Sequence, residues 1–358
     1  MFSARMIISS FAVLALAAAL GPRSLDAAGT VNAAHPVADN HMNIMSPAAV
    51  NALKIMCEKM GPKCPPGIVQ ETSDGQDAVR ALDSAGARVG VVLSPAYFFG
   101  APELANLGLN VEKETRAVNA YVVAQAKAHC SRLVAFISVD PLSPGALKEI
   151  DYWGRAGGAT GLNLHLANSN FDFRSPGEVR KLAAVFRAAA RWRFPIIVHL
   201  ANRNPDYGAT DVGIFLRDVL PFARGVPVQI AHAAGEGGVT PGTLSALGAF
   251  ATAIKLHPQA TANIFFDLAM VPDIITVHSQ LAAKPAAVAA LRALIYKIGL
   301  KRFVPGSDWT KPLDLGRYYR LERAALNLPG DGWRTLAGNS APYLASLLNG
   351  HAGCTSPR

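Results

Sequence analysis

Four histidines close apolar runs of this sequence: His41 in "VADNHMNIM", His165 in "GLNLHL", His199 in "PIIVHL" and His232 in "VPVQIAH". An aspartate, Asp308, follows a fifth run in "FVPGSDW". Imidazole nitrogens and a carboxylate suit zinc, iron or manganese, and a site with one position open to water can make that water a nucleophile near neutral pH. A further histidine not bound to metal can carry a proton. One histidine in an apolar strand is an ordinary structural residue. Five such groups at the same place in five runs point to a shared site.

The elements that would position them alternate. Short apolar runs at 37–44, 88–94, 133–140, 161–166, 195–200, 227–232, 264–268 and 303–307 predict strands. Helical patterns fall between them at 75–85, 111–129, 144–155, 177–193, 210–222, 241–253 and 285–299, with a closing helical region from about Leu315. Ser143-Pro144 and Thr240-Pro241 are helix starts, since proline in a first turn lacks only an N–H that would be unpaired anyway. Strands that are apolar throughout mean a parallel sheet covered by helices. Eight such units predict a (β/α)₈ barrel rather than an open doubly wound sheet, because no Gly-x-Gly-x-x-Gly follows the first strand.

In such a barrel the carboxyl ends of the strands share one rim. Here those ends carry His41, Tyr97, Asp140, His165, His199, His232, Asp267 and Asp308. Asn163 and His165 share one strand face by the period of two. Arg203 follows His199 on a mouth loop, where its planar fork could hold a substrate carboxylate. Tyr97 and His165 could equally be pocket wall or packing. "GEGG" at Gly235–Gly238 lacks the lysine of a phosphate-binding loop and reads as a flexible turn beside His232.

Composition sets the limits. The chain has 358 residues, 51% hydrophobic and 16% charged, with net charge +9. Lys and Arg are scattered without runs or aromatic interleaving, which argues against nucleic acid. Residues 1–27 read as a signal peptide: Arg5, an apolar stretch, then small residues. That predicts a periplasmic or secreted protein with no stable membrane insertion once the leader is removed. The domain itself spans 28–349, with a helical cap inserted at 46–73 over the barrel mouth and a loose tail at 350–358. Of the 4 cysteines, Cys57 and Cys64 bracket a Gly-Pro turn and could close a small loop. Cys130 and Cys354 are either a second bridge or free thiols, and no CxxC pair suggests a cysteine zinc site.

The order of "VVLSPAY", "LVAFISVDPL", "GATGLNLHL", "FPIIVHL", "VQIAHAAGEGG", "IFFDLAM", "FVPGSDW" and "LAGNSAPYL" resembles the amidohydrolase superfamily. The branch it resembles includes aminocarboxymuconate-semialdehyde decarboxylase and related metal-dependent hydrolases. The resemblance implies a metal at the barrel mouth and hydrolysis or non-oxidative decarboxylation. It implies His41, His199 and Asp308 as ligands, His232 as the acid/base, and Asp308 as a proton carrier as well. Two positions depart from it. Asn43 stands where the family has a second histidine on the first strand, and Asn163 where relatives often have lysine. A carboxamide is a weaker ligand than imidazole, so the implied site holds one divalent ion, Zn first and Mn or Fe as alternatives, with Asn43 at most a weak helper. The expected function is metal-dependent hydrolysis of a small carbonyl substrate (an amide, ester or lactone), by a chain that could form a homodimer. Tyr97, Asn163, His165 and Arg203 would contact that substrate. The alternatives are a decarboxylase on the same scaffold and a metal-free binding protein.

Overall fold

The computed structural model describes residues 35–64, 69–271, 285–311 and 314–350. The expected leader at 1–27, Cys354, and all of the tail but Gly350 lie outside the described residues. Eight strands pair in parallel and in sequence order: β1 (Ala38–Asn43), β2 (Val89–Leu93), β3 (Leu133–Ser138), β4 (Gly161–His165), β5 (Ile196–His199), β6 (Val228–Ile230), β7 (Ile264–Asp267) and β8 (Phe303–Val304). The sheet curls back on itself. Asn40 N–H donates to Pro305 O (3.0 Å), Asp308 N–H donates to His41 O (2.8 Å), and Asn43 N–H donates to Trp309 O. These bonds close the (β/α)₈ barrel that the alternation predicts.

The helices follow their start and stop signals. In chain order they are α1 (Pro47–Met60), α2 (Gly75–Ala85), α3 (Val111–Ala128), α4 (Ala146–Ala156), α5 (Pro176–Arg191), α6 (Ala209–Ile214), α7 (Pro241–Leu256), α8 (Pro285–Ile298), α9 (Leu315–Leu326), α10 (Gly330–Gly338) and the single turn α11 (Ala345–Leu348). Helix α2 shows why the pattern works. Asp74 and Asp77 form a reciprocal capping box at its start, Ala78, Leu82 and Ala85 bury one face, and Gly86 ends it in a left-handed conformation (φ 68°) that glycine adopts without steric cost. Strand side chains alternate between two cores. Ala38, Val89, Val91, Leu93, Phe136 and Ile197 fill the barrel interior, while Met42, Val92, Ile137, Leu164, Val198 and Phe266 pack under the helices.

Three elements differ from expectation. The helix expected at 210–222 stops as α6, widens into a π-turn at Phe215–Val219 and tightens into a 3₁₀ turn at Leu220–Ala223. Pro221 has no N–H to continue an α-helical ladder. The strands expected at 227–232 and 303–307 end at Ile230 and Val304. His232 (φ 53°) and Asp308 (φ 59°) therefore lie on left-handed turns beyond the strands.

Within 46–73, α1 starts at a Ser46 cap. It packs through Leu53 and Met56 against Phe99, Leu104 and Val118, on the 3₁₀ turns that follow β2. Cys57 and Cys64 are joined, with Cα atoms 5.1 Å apart, and Cys130 is also in a disulfide. No helix among the described residues is long and apolar enough to cross a membrane.

One buried group works against stability. Glu322 on α9 is 1% exposed, and both its carboxyl oxygens lack a hydrogen-bond partner, as do Asp39 Oδ2 and Tyr319 Oη. Burial, reinforced by Asp39 and Asp267, raises its pKa well above the ordinary value, so the folded chain holds the proton more tightly than the unfolded one. Stability then falls as pH climbs from the unfolded value near 4.3 towards the folded one, by up to about 1.4 kcal/mol per unit. Glu322→Gln should remove that slope, so urea titrations should show a larger gain at pH 8 than at pH 5. Equal gains at both values would mean that Glu322 titrates normally.

Candidate active site

The parallel barrel delivers the expected histidines to one rim. His41 leaves β1 next to a register shift between Asp39 and Met42. Asp39 Oδ1 accepts the N–H groups of His41 (3.1 Å) and Ser307 (3.2 Å), which pins that irregularity to the chain after β8. Gly306 is required by the same close approach, since a Cβ there would meet the His41 Cβ at 2.9 Å. His165 and His199 are register partners at the ends of β4 and β5, with rings stacked 4.5 Å apart. The His232 ring lies 4.8 Å from those of both His41 and His199.

Hydrogen bonds set the imidazole tautomers. His232 Nδ1 lies 2.6 Å from Ala269 O. A carbonyl only accepts, so Nδ1 carries the proton and Nε2 a lone pair. His232 Nε2 then accepts from His199 Nδ1 at 3.1 Å, which leaves His199 Nε2 with its own lone pair. His41 Nδ1 donates to Asp267 Oδ2 at 3.0 Å. The outcome is that His41 Nε2 and His199 Nε2 are buried with no hydrogen-bond partner. His41, His199 and His232 offer ligand atoms that lie within 4.8 Å of one another, and Asp308 Oδ1 is 3.5 Å from His41 Nε2. Two orphaned nitrogens beside a carboxylate fit a borderline divalent cation, because each would otherwise be a buried polar atom left unpaired.

Electrostatics favour metal binding at three of the four rings, whereas at His41 a cation would have to displace a proton. Burial, aided by neighbouring histidines, holds His199 well below the ordinary imidazole range and His165 down at about 3. His232 is lowered by burial and by His41. These rings are neutral, the state in which imidazole binds metal. His41 is the exception. Burial disfavours its charge, but Asp267 and Asp308 outweigh it and raise the ring to about 10. Burial likewise opposes the Asp308 charge, yet Lys311 and His41 hold its pKa well below the ordinary carboxylate value. Lys311 Nζ is 2.6 Å from Asp308 Oδ2.

Asn43 reaches the site through its nitrogen. Nδ2 donates to Asp308 Oδ1 at 2.7 Å, so the group that replaces a histidine orients the aspartate. Asn163 is fully buried. Its Nδ2 donates to Ser94 O (3.3 Å), and its Oδ1 has no partner. The Tyr97 ring lies 4.7 Å from His165 and 6.4 Å from His199, which makes it part of the same wall. Arg203 is brought to the rim but already engaged, with both terminal nitrogens on Glu103 and Nε on Ala167 O. Asp140 caps a turn by accepting from Leu142 N–H.

Three contributors were not assigned from sequence. Asp267, read there only as a strand end, accepts from His41 and Gln229 (2.6 Å) on Oδ2, and from the backbone N–H of His232 (2.9 Å) and Ala269 (3.1 Å) on Oδ1. Its signal was an acid closing the apolar run "IFFD". Gln229 left a similar trace, an amide inside an apolar strand. Glu236, in "GEGG", is exposed at the rim and sits 3.4 Å from His165 Nε2.

No curated protein sequence matches the chain. Among solved structures, 5-carboxyvanillate decarboxylase from Sphingomonas paucimobilis superposes with TM-score 0.58 at 15% identity, covering 88% of this chain and 99% of that one. A putative 2-pyrone-4,6-dicarboxylic acid hydrolase from Pseudomonas putida gives 0.55 at 15%, over 88% and 98%. An amidohydrolase from Burkholderia multivorans with bound zinc gives 0.51 at 14%, over 88% and 97%. At these identities the likeness is one of fold. The amidohydrolase family model, however, matches residues 38–335, from the first residue of β1 into α10, and so takes in every strand and all the rim histidines and aspartates described above. The chain belongs to the amidohydrolase family.

Proposed function

We propose that this chain is an exported, mononuclear metal-dependent hydrolase of small amides, esters or lactones. One observation carries the reading: the buried, unpartnered Nε2 atoms of His41 and His199 beside Asp308. Those three residues would hold one divalent ion, zinc first and manganese or iron as alternatives. When bound, such an ion polarises a carbonyl oxygen and lowers the pKa of water towards about 7.

The chain's own groups do the rest. Asp308, held on one oxygen by Asn43 and on the other by Lys311, is placed to take the proton of the attacking water. His232 keeps Nδ1–H on Ala269 O, so its Nε2 lone pair is the atom that can take up a proton released from the attacking water and then pass it to the leaving group. Tyr97, Asn163 and His165 form the wall against which the substrate is oriented.

A decarboxylase is the second reading, since three structural neighbours carry that name and the same rim would serve. The engagement of Arg203 by Glu103 favours hydrolysis, because that guanidinium is not offered to a substrate carboxylate. Carbon dioxide release without water consumption would decide for decarboxylation.

Elemental analysis of protein purified without chelators should find one divalent ion per chain, lost in His199→Ala and in Asp308→Ala. A metal-free result after incubation with zinc or manganese would leave the binding-protein reading. Asp267→Asn keeps the shape but weakens the grip on His41 Nδ1, and should lower metal affinity about 10- to 100-fold with circular dichroism unchanged. Asn43→His should tighten metal binding, because position 43 faces Asp308; unchanged affinity would mean that the new ring cannot reach the ion. Asp308→Asn should abolish turnover of whichever carbonyl substrate a screen identifies, and retained activity would remove Asp308 from the mechanism.

A further inference from the structure

The end of the barrel opposite the histidines holds a cavity of about 660 Å³, where β6, β7 and β8 begin. Three cationic side chains, Arg224, Lys301 and Arg302, line it together with the apolar surfaces of Phe265, Val304 and Pro342, and no aspartate or glutamate is among its lining residues. Among the described residues none of the three cations has a carboxylate partner.

Arg302 is the fixed member. Its Nη1 donates to Thr261 O (2.8 Å) and Ile264 O (2.7 Å), so the guanidinium is held half-buried without a counter-charge, and desolvation lowers its pKa. Arg224 is exposed and stands on a left-handed residue (φ 48°) that ends the 3₁₀ turn after the π-turn. Lys301 is exposed just before β8. Like charges gathered around one concavity repel one another, and low-dielectric walls focus their potential into the space between them. An anion relieves that repulsion, and a planar guanidinium fork matches a carboxylate. The volume lies within the range of small-molecule sites, which combine apolar walls with a few convergent polar groups.

We propose that this basal cavity binds a small organic anion, a carboxylate carrying an aromatic or short aliphatic body, at a site separate from the rim. The carboxylate sits among Arg224, Lys301 and Arg302, and the body lies on Phe265, Val304 and Pro342. This assignment does not depend on the chemistry at the other end of the barrel.

The test is calorimetric titration of the full chain with sodium benzoate at constant ionic strength, with inorganic phosphate as comparison. One saturable benzoate site is expected, retained in His199→Ala and weakened about tenfold or more in Arg224→Gln/Lys301→Gln. Both substituted residues are exposed, so folding should survive, and circular dichroism checks it. Absence of saturable binding, or wild-type affinity in the double variant, would overturn the site. Phosphate binding as tightly as benzoate would overturn the apolar-bodied ligand.

Discussion

The buried carboxylate of Asp267 organises the rim. A fully buried charge costs several kcal/mol unless its oxygens are met by donors, and this one is met by four: His41, Gln229 and two backbone N–H groups. They come from β1, β6, the turn after β6, and the chain after β7. Satisfying one anion therefore fixes four segments at once, together with the tautomer of a candidate ligand. The left-handed residues His232, Ala233 and Ala234 each carry strain of about 1–3 kcal/mol. The bond from His232 N–H to Asp267 helps hold that turn, which aims the His232 ring at His199.

The barrel was legible because parallel strands buried on both faces read as unbroken apolar runs, and because capping residues mark the helices between them. Helix α2 coincides with its expected span, and most other ends differ by one or two residues. The break after α6 was harder to read. Apolar spacing is nearly the same in α and π turns, and only Pro221 hints at the interruption. At the site, residue types and strand-end positions located His41, His165, His199, His232 and Asp308. What they could not give was who bonds to whom. Asp267 and His41 are 226 positions apart, and no local pattern encodes that pairing. Asn43 shows the same limit. By comparison with relatives it is a missing ligand, whereas in space it is a donor to Asp308, 265 positions away.

Charge is partitioned along the barrel axis. At the rim His41 and Lys311 face Asp267 and Asp308, whereas the basal cavity gathers Arg224, Lys301 and Arg302 with no acid among its lining residues. A net charge of +9 tells nothing of this division, because a polarity between two ends of a barrel is a property of topology. Strand direction decides which end each loop joins, and so which loop residues share an end.

The seam between β8 and β1 bears on how the molecule comes to be. Asp308 reaches His41 only through hydrogen bonds that join the end of the barrel to its beginning, and β8 itself contributes just two paired residues. A chain emerging from synthesis possesses His41, His165, His199 and His232 long before it possesses Asp308. Contacts of such sequence separation form late, since a long loop must be closed before they repay its entropy. The juxtaposition of Asp308 with the rim histidines is therefore complete only once the seam between β8 and β1 has closed.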